Sequence, residues 1–161
     1  MSHASQSASV TSASITLSKS DIIEFAQQFD PQPYHLDSDA AEQSIFGGLC
    51  ASGWQVAAIS TRLLEDALGR EGLDVLYTAE VSSLKWKKPS FAGDYLALII
   101  DLGASDSSSA PAGHYHQSAN VKVINQNQEP VAEMATKILV RGGKKDADTQ
   151  TTDTQTSSAE G

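Results

Sequence analysis

The apolar pattern changes from a helical period to a period of two near residue 70, and this change restricts the fold most. Residues 52–68 carry small or apolar side chains around most of a helix, and a helix that is apolar nearly all round is a buried one. From Val75 onward the pattern alternates, as in half-buried strands. A buried helix followed by several strands predicts an α+β domain in which a curved antiparallel sheet wraps one central helix.

Capping residues and prolines set the expected bounds of the helices. A first helix is predicted from Ser18 or Ser20 to Phe29, where the two prolines that follow stop it. A short helical turn is expected over residues 38–44. The buried helix is predicted to end at Gly69, since glycine commonly follows the last helical turn.

The second half of the chain is predicted to form four strands. Alternation changes parity between Val81 and Leu84, which indicates a bulge in the first strand. A loop rich in Ser and Ala is expected over residues 103–113. The predicted strands cover residues 75–86, 95–102, 115–124 and 131–140.

The two ends of the chain differ in composition from its middle. Residues 1–14 and 142–161 are mostly Ser, Thr, Ala and other polar or small residues, with little apolar surface to bury. Such segments are typical of disordered tails. The 161 residues are therefore predicted to form one folded domain over residues 15–141.

Charge and cysteine content exclude several classes of protein. The formal net charge of -9 argues against a nucleic-acid partner, which a basic surface would have to bind. The single cysteine, Cys50, cannot form an internal disulfide, which fits a reducing compartment. The N-terminus has no signal-peptide pattern, and no apolar run approaches the roughly 20 residues that span a bilayer. These features predict a cytoplasmic protein without a membrane partner.

The segment Asp30-Pro-Gln-Pro-Tyr-His35 holds an acid and an imidazole across two prolines. Prolines restrict the backbone, so two side chains are held in a defined relation at little further entropic cost. A carboxylate and an imidazole can together hold and activate one water molecule. The alternative is a helix-ending turn in which both side chains make local backbone bonds, and spacing alone favours that alternative.

Ser52-Gly53 begins the buried helix. The first amides of a helix lack intrahelical partners and lie at the positive end of its dipole. Glycine allows a substrate carbonyl to approach such an amide closely, as in an oxyanion site. The alternative is that Gly53 serves only close packing of the helix on the sheet.

Four stretches together resemble the MaoC-like dehydratase family, which includes the (R)-specific enoyl-CoA hydratases. The first three are FAQQFDPQPYHLD, AAEQSIFGG and ASGWQVAA, and the fourth, KWKKPSFAGDYL, is similar to the family's second signature. The resemblance implies a single hot-dog domain and a homodimer whose sheets join edge to edge. The chain departs from many members at Ser52, where they carry histidine.

The resemblance also implies roles for particular residues. Asp30 and His35 match the family's catalytic acid and histidine, and Gly53 matches the glycine whose amide holds the thioester oxygen. Thr61 falls near a serine of the hydratase site. The expected substrate-binding residues are Tyr34, Ser52, Trp54 and Thr61.

The implied activity is hydration of a trans-2-enoyl thioester, or the reverse dehydration, with an acyl-CoA or acyl-carrier-protein thioester as substrate. The implied reaction needs no cofactor. No metal is expected either, because His114 and His116 supply too few ligands for a zinc site. The cluster of Lys85, Lys87 and Lys88 either meets coenzyme A phosphates or forms a solvated strand face.

Two other functions stay open on the same fold. An acyl-CoA thioesterase would need a carboxylate on the central helix near the substrate, and Glu65 and Asp66 lie at its far end. The other is a module that binds acyl thioesters without catalysis, since a fold does not determine function.

Overall fold

The structure, a computed structural model, describes residues 9–142. Its helices are α1 (Lys19–Phe29), α2 (Pro33–Leu36), α3 (Ser38–Glu42) and α4 (Gly53–Arg70). Its strands are β1 (Ser9–Thr11), β2 (Ile15–Thr16), β3 (Asp74–Trp86), β4 (Tyr95–Asp106), β5 (His114–Ile124) and β6 (Pro130–Arg141).

The main strands form an antiparallel sheet in the order β1-β4-β5-β6-β3, and β2 also pairs with β4. The α4 helix packs on one face of this sheet, so the predicted α+β hot-dog architecture is confirmed. Along β4 the residues that face the helix, Leu96, Leu98 and Ile100, are fully buried. Apolar burial of this kind is the dominant favourable term in folding.

The ends of the helices follow local chemistry. The Ser18 hydroxyl accepts a hydrogen bond from the Asp21 amide and caps α1, as the sequence predicts. The α4 helix, however, continues through Gly69 to Arg70. Gly72, whose φ is +87°, provides the left-handed residue that ends it, and the Leu73 amide donates back to the Leu68 carbonyl. The prediction that Gly69 ends the helix is therefore wrong.

Two predicted irregular segments contain strand. Ser9–Thr11 pairs with β4, so the prediction of a disordered tail over residues 1–14 is wrong for residues 9–11. The rest of the two predicted tails, residues 1–8 and 143–161, lies outside the described residues. Residues 103–106, predicted as loop, extend β4 across a register shift. Each of these short stretches has a single apolar residue, Val10 or Ala104, which is too few to show alternation. Backbone pairing adds both stretches to the sheet, and Val10 also packs against the core.

The irregularity predicted within β3 is present. The pairing of β3 with β6 shifts register between Val81 and Ser83, and it shifts at two earlier points as well. These shifts bend the strand, as expected for a sheet that curves around a helix. Within residues 9–142, no helix is both long enough and apolar enough to cross a membrane.

Candidate active site

Two prolines place Asp30 and His35 on neighbouring elements. Asp30 caps the C-terminal end of α1 and donates its amide hydrogen to the Ala26 carbonyl. The chain then turns, and Pro33 begins α2, which carries His35. The distance between Asp30 Oδ2 and His35 Nε2 is 3.5 Å, so the structure brings the two residues together.

The His35 ring is held by a backbone carbonyl. Its Nδ1 lies 2.6 Å from the carbonyl oxygen of Cys50, and the side chain is 8% exposed. Because a carbonyl oxygen only accepts, Nδ1 must carry the hydrogen. In the neutral ring Nε2 is therefore the acceptor, and it is the nitrogen that faces Asp30.

Asp30 has a second partner that the sequence does not reveal. The Ser52 hydroxyl donates to Asp30 Oδ2 at 2.7 Å. The Asp30 side chain is 26% exposed, whereas Ser52 is completely buried. The buried Ser52 hydroxyl thus holds Oδ2 from the protein interior, and the rest of the Asp30 carboxylate remains accessible to solvent.

Gly53, the first residue of α4, lies against the indole ring of Trp86. A Cβ at this position would lie 2.5 Å from Trp86 Nε1 and 2.6 Å from Trp86 Cε2, closer than real Cβ atoms approach other atoms. Close packing therefore requires glycine here. Among the described residues the Gly53 amide has no hydrogen-bond acceptor, so the amide is also free to bind a ligand. The packing role of this glycine is thus present in the structure, and its amide has no acceptor among the described residues.

The Gly53 contact gives the first testable expectation. Gly53→Ala should force the Trp86 ring aside and lower the free energy of unfolding by about 1–3 kcal/mol, the usual cost of overpacking. In a Trp86→Val background the same substitution should cost much less, because the ring is gone. Chemical denaturation of the four proteins of this double-mutant cycle measures the coupling. Equal costs in both backgrounds would show that the contact does not require glycine.

Asp30, His35, Gly53 and Trp86 line one cleft of about 360 Å³, within the usual range for small-molecule sites. Its walls are largely aromatic and apolar, and its polar side chains include the Asp30 and His35 pair. The edge-to-face pair of Trp54 and Trp86 forms one wall. The other main wall residues are Tyr34, Phe46, Val56, Pro89 and Val131.

Lysines from the segment after β3 stand at the same cleft. Lys87 and Lys88 are among its lining residues. Lys88 pairs with Glu129 at 2.8 Å, and Lys87 pairs with Glu133 at 3.6 Å. Both cations lie where a charged part of a substrate could reach them, and both already have carboxylate partners.

Cys50 takes part in the site through its backbone carbonyl, which bonds His35, rather than through its thiol. Its sulfur lies 3.7 Å from His35 Nδ1, but burial raises the pKa of the Cys50 thiol. A protonated thiol is a poor nucleophile. Among the residues that the structure describes, no three His, Cys, Asp or Glu side chains are grouped as a metal site would require.

Two expected substrate contacts are not where the sequence suggests. Thr61 is exposed on α4, and its hydroxyl donates to the Ala57 carbonyl at 3.2 Å. It lies two helical turns, about 12 Å, beyond Gly53, outside the residues that line the cleft. Ser52 is also absent from the lining, because it is buried behind Asp30. Tyr34 and Trp54 do line the cleft as expected.

Comparison with known proteins identifies the family. Residues 2–124 match the model of the MaoC like domain. The chain belongs to this family. An uncharacterised protein of Bacillus subtilis (strain 168), YdeM, is 37% identical over 89 residues. That match covers 55% of this chain and 62% of the relative, so the chain spans less than two thirds of the relative's length.

Several solved structures have the same fold as this chain. The crystal structure of a MaoC-like dehydratase from Rhodospirillum rubrum is 34% identical, with a TM-score of 0.72, over 85% of this chain and 92% of that one. An (R)-hydratase of A. caviae involved in PHA biosynthesis is 20% identical, with a TM-score of 0.62, over 85% and 96%. A truncated (3R)-hydroxyacyl-ACP dehydratase complex, HadBC, from Mycobacterium tuberculosis is 17% identical, with a TM-score of 0.68, over 86% and 99%.

Membership of the MaoC-like family supports a hydratase or dehydratase activity in general. The two structures that are less than 25% identical to this chain show only that the fold is shared. A fold alone determines neither the substrate nor the roles of individual residues.

Proposed function

We propose that this protein adds water to trans-2-enoyl thioesters, or removes it from 3-hydroxyacyl thioesters, as a hydro-lyase without a cofactor. One observation carries the proposal: His35 Nε2 lies 3.5 Å from the Asp30 carboxylate, in the cleft that the start of α4 also lines. An acid-base pair beside a free helix-start amide is what addition of water to a conjugated thioester requires.

The proposed reaction begins with a water molecule held between Asp30 and His35. One of these groups accepts a proton from the water as its oxygen forms a bond to C3. The electrons of the C2–C3 double bond move toward the thioester oxygen, which becomes enolate-like and accepts a hydrogen bond from the Gly53 amide. The pair then delivers a proton to C2, and the sum is one water added. Dehydration is the same path in reverse.

A thioesterase is less well supported by the same cleft. Asp30 is the one carboxylate among the described residues that line it. Glu65 and Asp66 lie at least twelve residues beyond Gly53, about 18 Å along α4, and Asp66 pairs with Arg62 at 3.9 Å. Thus the central helix places no carboxylate beside the thioester.

A spectrophotometric assay tests the proposal. Crotonyl-CoA and a longer trans-2-enoyl-CoA are mixed with the full chain, and the enoyl absorbance and the free thiol are followed together. We expect the enoyl absorbance to fall without thiol release. Thiol release would show a thioesterase, and tight acyl-CoA binding without turnover would show a binding module.

The proposed assembly is a homodimer joined at β3. This strand forms one end of the sheet order, and it exposes Tyr77, Val81 and Trp86. A long edge strand with exposed apolar side chains is a ready template for pairing with another chain. Two copies paired through this edge would form one continuous sheet.

The proposed dimer gives a second testable expectation. Val81→Lys should dissociate the dimer at low micromolar concentration, because a two-fold axis near this edge brings like charges together. Thr11→Lys, on β1 at the opposite end of the sheet, should remain dimeric and serves as the matched control. Analytical ultracentrifugation measures both. A monomeric wild type, or dissociation by Thr11→Lys alone, would contradict the proposed interface.

A further inference from the structure

The Ser52 hydroxyl has a fixed set of partners. It donates to Asp30 Oδ2 at 2.7 Å and accepts from the Trp54 amide at 3.3 Å. A hydroxyl has a single hydrogen and a carboxylate only accepts, so the hydrogen is directed at Asp30 while the amide occupies a lone pair. The whole residue is buried, and therefore water does not compete for these bonds.

Without this bond, Asp30 would have considerable freedom. Its backbone lies at the end of α1, where the chain turns away, and its side chain is partly exposed. The Ser52 bond fixes Oδ2, which is also the oxygen nearest His35 Nε2. Oδ1 is left as the oxygen without a hydrogen-bond partner among the described residues, and is available to a water molecule.

We propose that Ser52 is a positioning residue that holds the Asp30 carboxylate for reaction with water, an inference that rests on the proposed hydratase activity. Ser52 does not line the cleft, so it acts through Asp30 rather than on the substrate. Loss of the donor should lower kcat and leave KM nearly unchanged.

Ser52 is also the N-cap of α4, so a test must separate capping from positioning. Glycine is nearly as good an N-cap as serine, whereas alanine is much poorer. Ser52→Gly therefore removes the donor to Asp30 with little loss of capping, and Ser52→Ala removes both. Ser52→Thr keeps the donor and the cap.

The experiment measures kcat, KM and thermal midpoint for the three variants in the full chain, with crotonyl-CoA as substrate. We expect Ser52→Gly and Ser52→Ala each to lower kcat about 10- to 100-fold, the usual effect of losing a hydrogen bond to a charged group. KM should stay within about twofold, and Ser52→Thr should retain most of the activity. In the Asp30→Asn background, Ser52→Gly should have little further effect, because residues that act as a unit are not additive.

Three results would overturn the proposal. One is an activity of Ser52→Gly within about threefold of the wild type. Another is a loss of activity only in Ser52→Ala and in proportion to its loss of thermal stability, which would assign Ser52 to capping alone. The third is additivity of Ser52→Gly with Asp30→Asn.

A readout without turnover keeps this inference distinct from the proposed function. The carbon-13 resonance of the Asp30 carboxyl should change its chemical shift in Ser52→Gly and keep it in Ser52→Thr. An inactive wild type with this response would refute the hydratase while leaving the orientation of Asp30 by Ser52 supported. An unchanged resonance in Ser52→Gly would refute the orientation itself.

Discussion

Asp30→Asn is expected to lower the turnover of enoyl-CoA by a factor on the order of 10² to 10⁴, the usual contribution of a general acid-base group. Asparagine has nearly the same shape, and its amide oxygen can still accept the bond from Ser52. It cannot take up or deliver a proton at neutral pH. Steady-state kinetics should therefore show a large fall in kcat, with thermal unfolding close to that of the wild type.

The matched control for this change is Asp39→Asn. Asp39 is an exposed acid on α3, and its loss of charge should leave turnover within about twofold of the wild type, since exposed substitutions usually change little. Comparable rates for Asp30→Asn and Asp39→Asn would show that the Asp30 carboxylate has no part in the reaction.

His35→Asn should have an effect of similar size, again on the order of 10² to 10⁴ in kcat. The asparagine amide nitrogen takes the place of Nδ1 and can donate to the Cys50 carbonyl, so the buried bond is kept. The acceptor at Nε2 is lost. His35→Ala should lose the same activity and also about 1–3 kcal/mol of stability, because the buried Cys50 carbonyl loses its donor.

His114→Asn is the control for the histidine. His114 also contacts a carbonyl through Nδ1, that of Ala112 at 2.9 Å, but it lies on β5 outside the cleft. Steady-state kinetics and chemical denaturation of His35→Asn, His35→Ala and His114→Asn separate an effect on turnover from an effect on stability. Full activity in a folded His35→Asn protein would remove the histidine from the mechanism.

Local chemistry made much of the fold predictable from the sequence. The α1 helix is marked by the Ser18 cap and the prolines, and the strands from Val75 onward by alternation. The end of α4 was missed because two glycines stand close together. Only Gly72 adopts the left-handed conformation that ends the helix, and sequence spacing does not say which glycine does so.

Part of the candidate site was predictable as a set of residues, but its contacts were not. Asp30 and His35 could be named from a short segment. The Ser52 bond to Asp30 joins residues 22 positions apart, and the acceptor for His35 is a backbone carbonyl, which residue identity does not reveal. Trp86 reaches Gly53 from another element, so the packing reason for that glycine appears only in three dimensions.

Thr61 lies away from the place that the resemblance implies for it. The resemblance suggests a hydroxyl near the catalytic pair at this position. Thr61 instead lies about two helical turns beyond Gly53, on an exposed face of α4. The hydroxyl that does contact Asp30 belongs to Ser52, at the position where this chain departs from many family members. A signal for that role was present in the sequence only as a serine at a helix start, which capping alone would explain.

The central claim, that the cleft adds water to the enoyl double bond, is tested most directly by turnover in water labelled with oxygen-18. Crotonyl-CoA and the full chain are incubated in the labelled water, and the products are analysed by mass spectrometry. The proposed mechanism requires one labelled oxygen at C3 of an intact 3-hydroxybutyryl thioester. Label found instead in the carboxylate of a released acid would show attack at the thioester carbonyl, and would contradict the assignment of Asp30 and His35 to hydration.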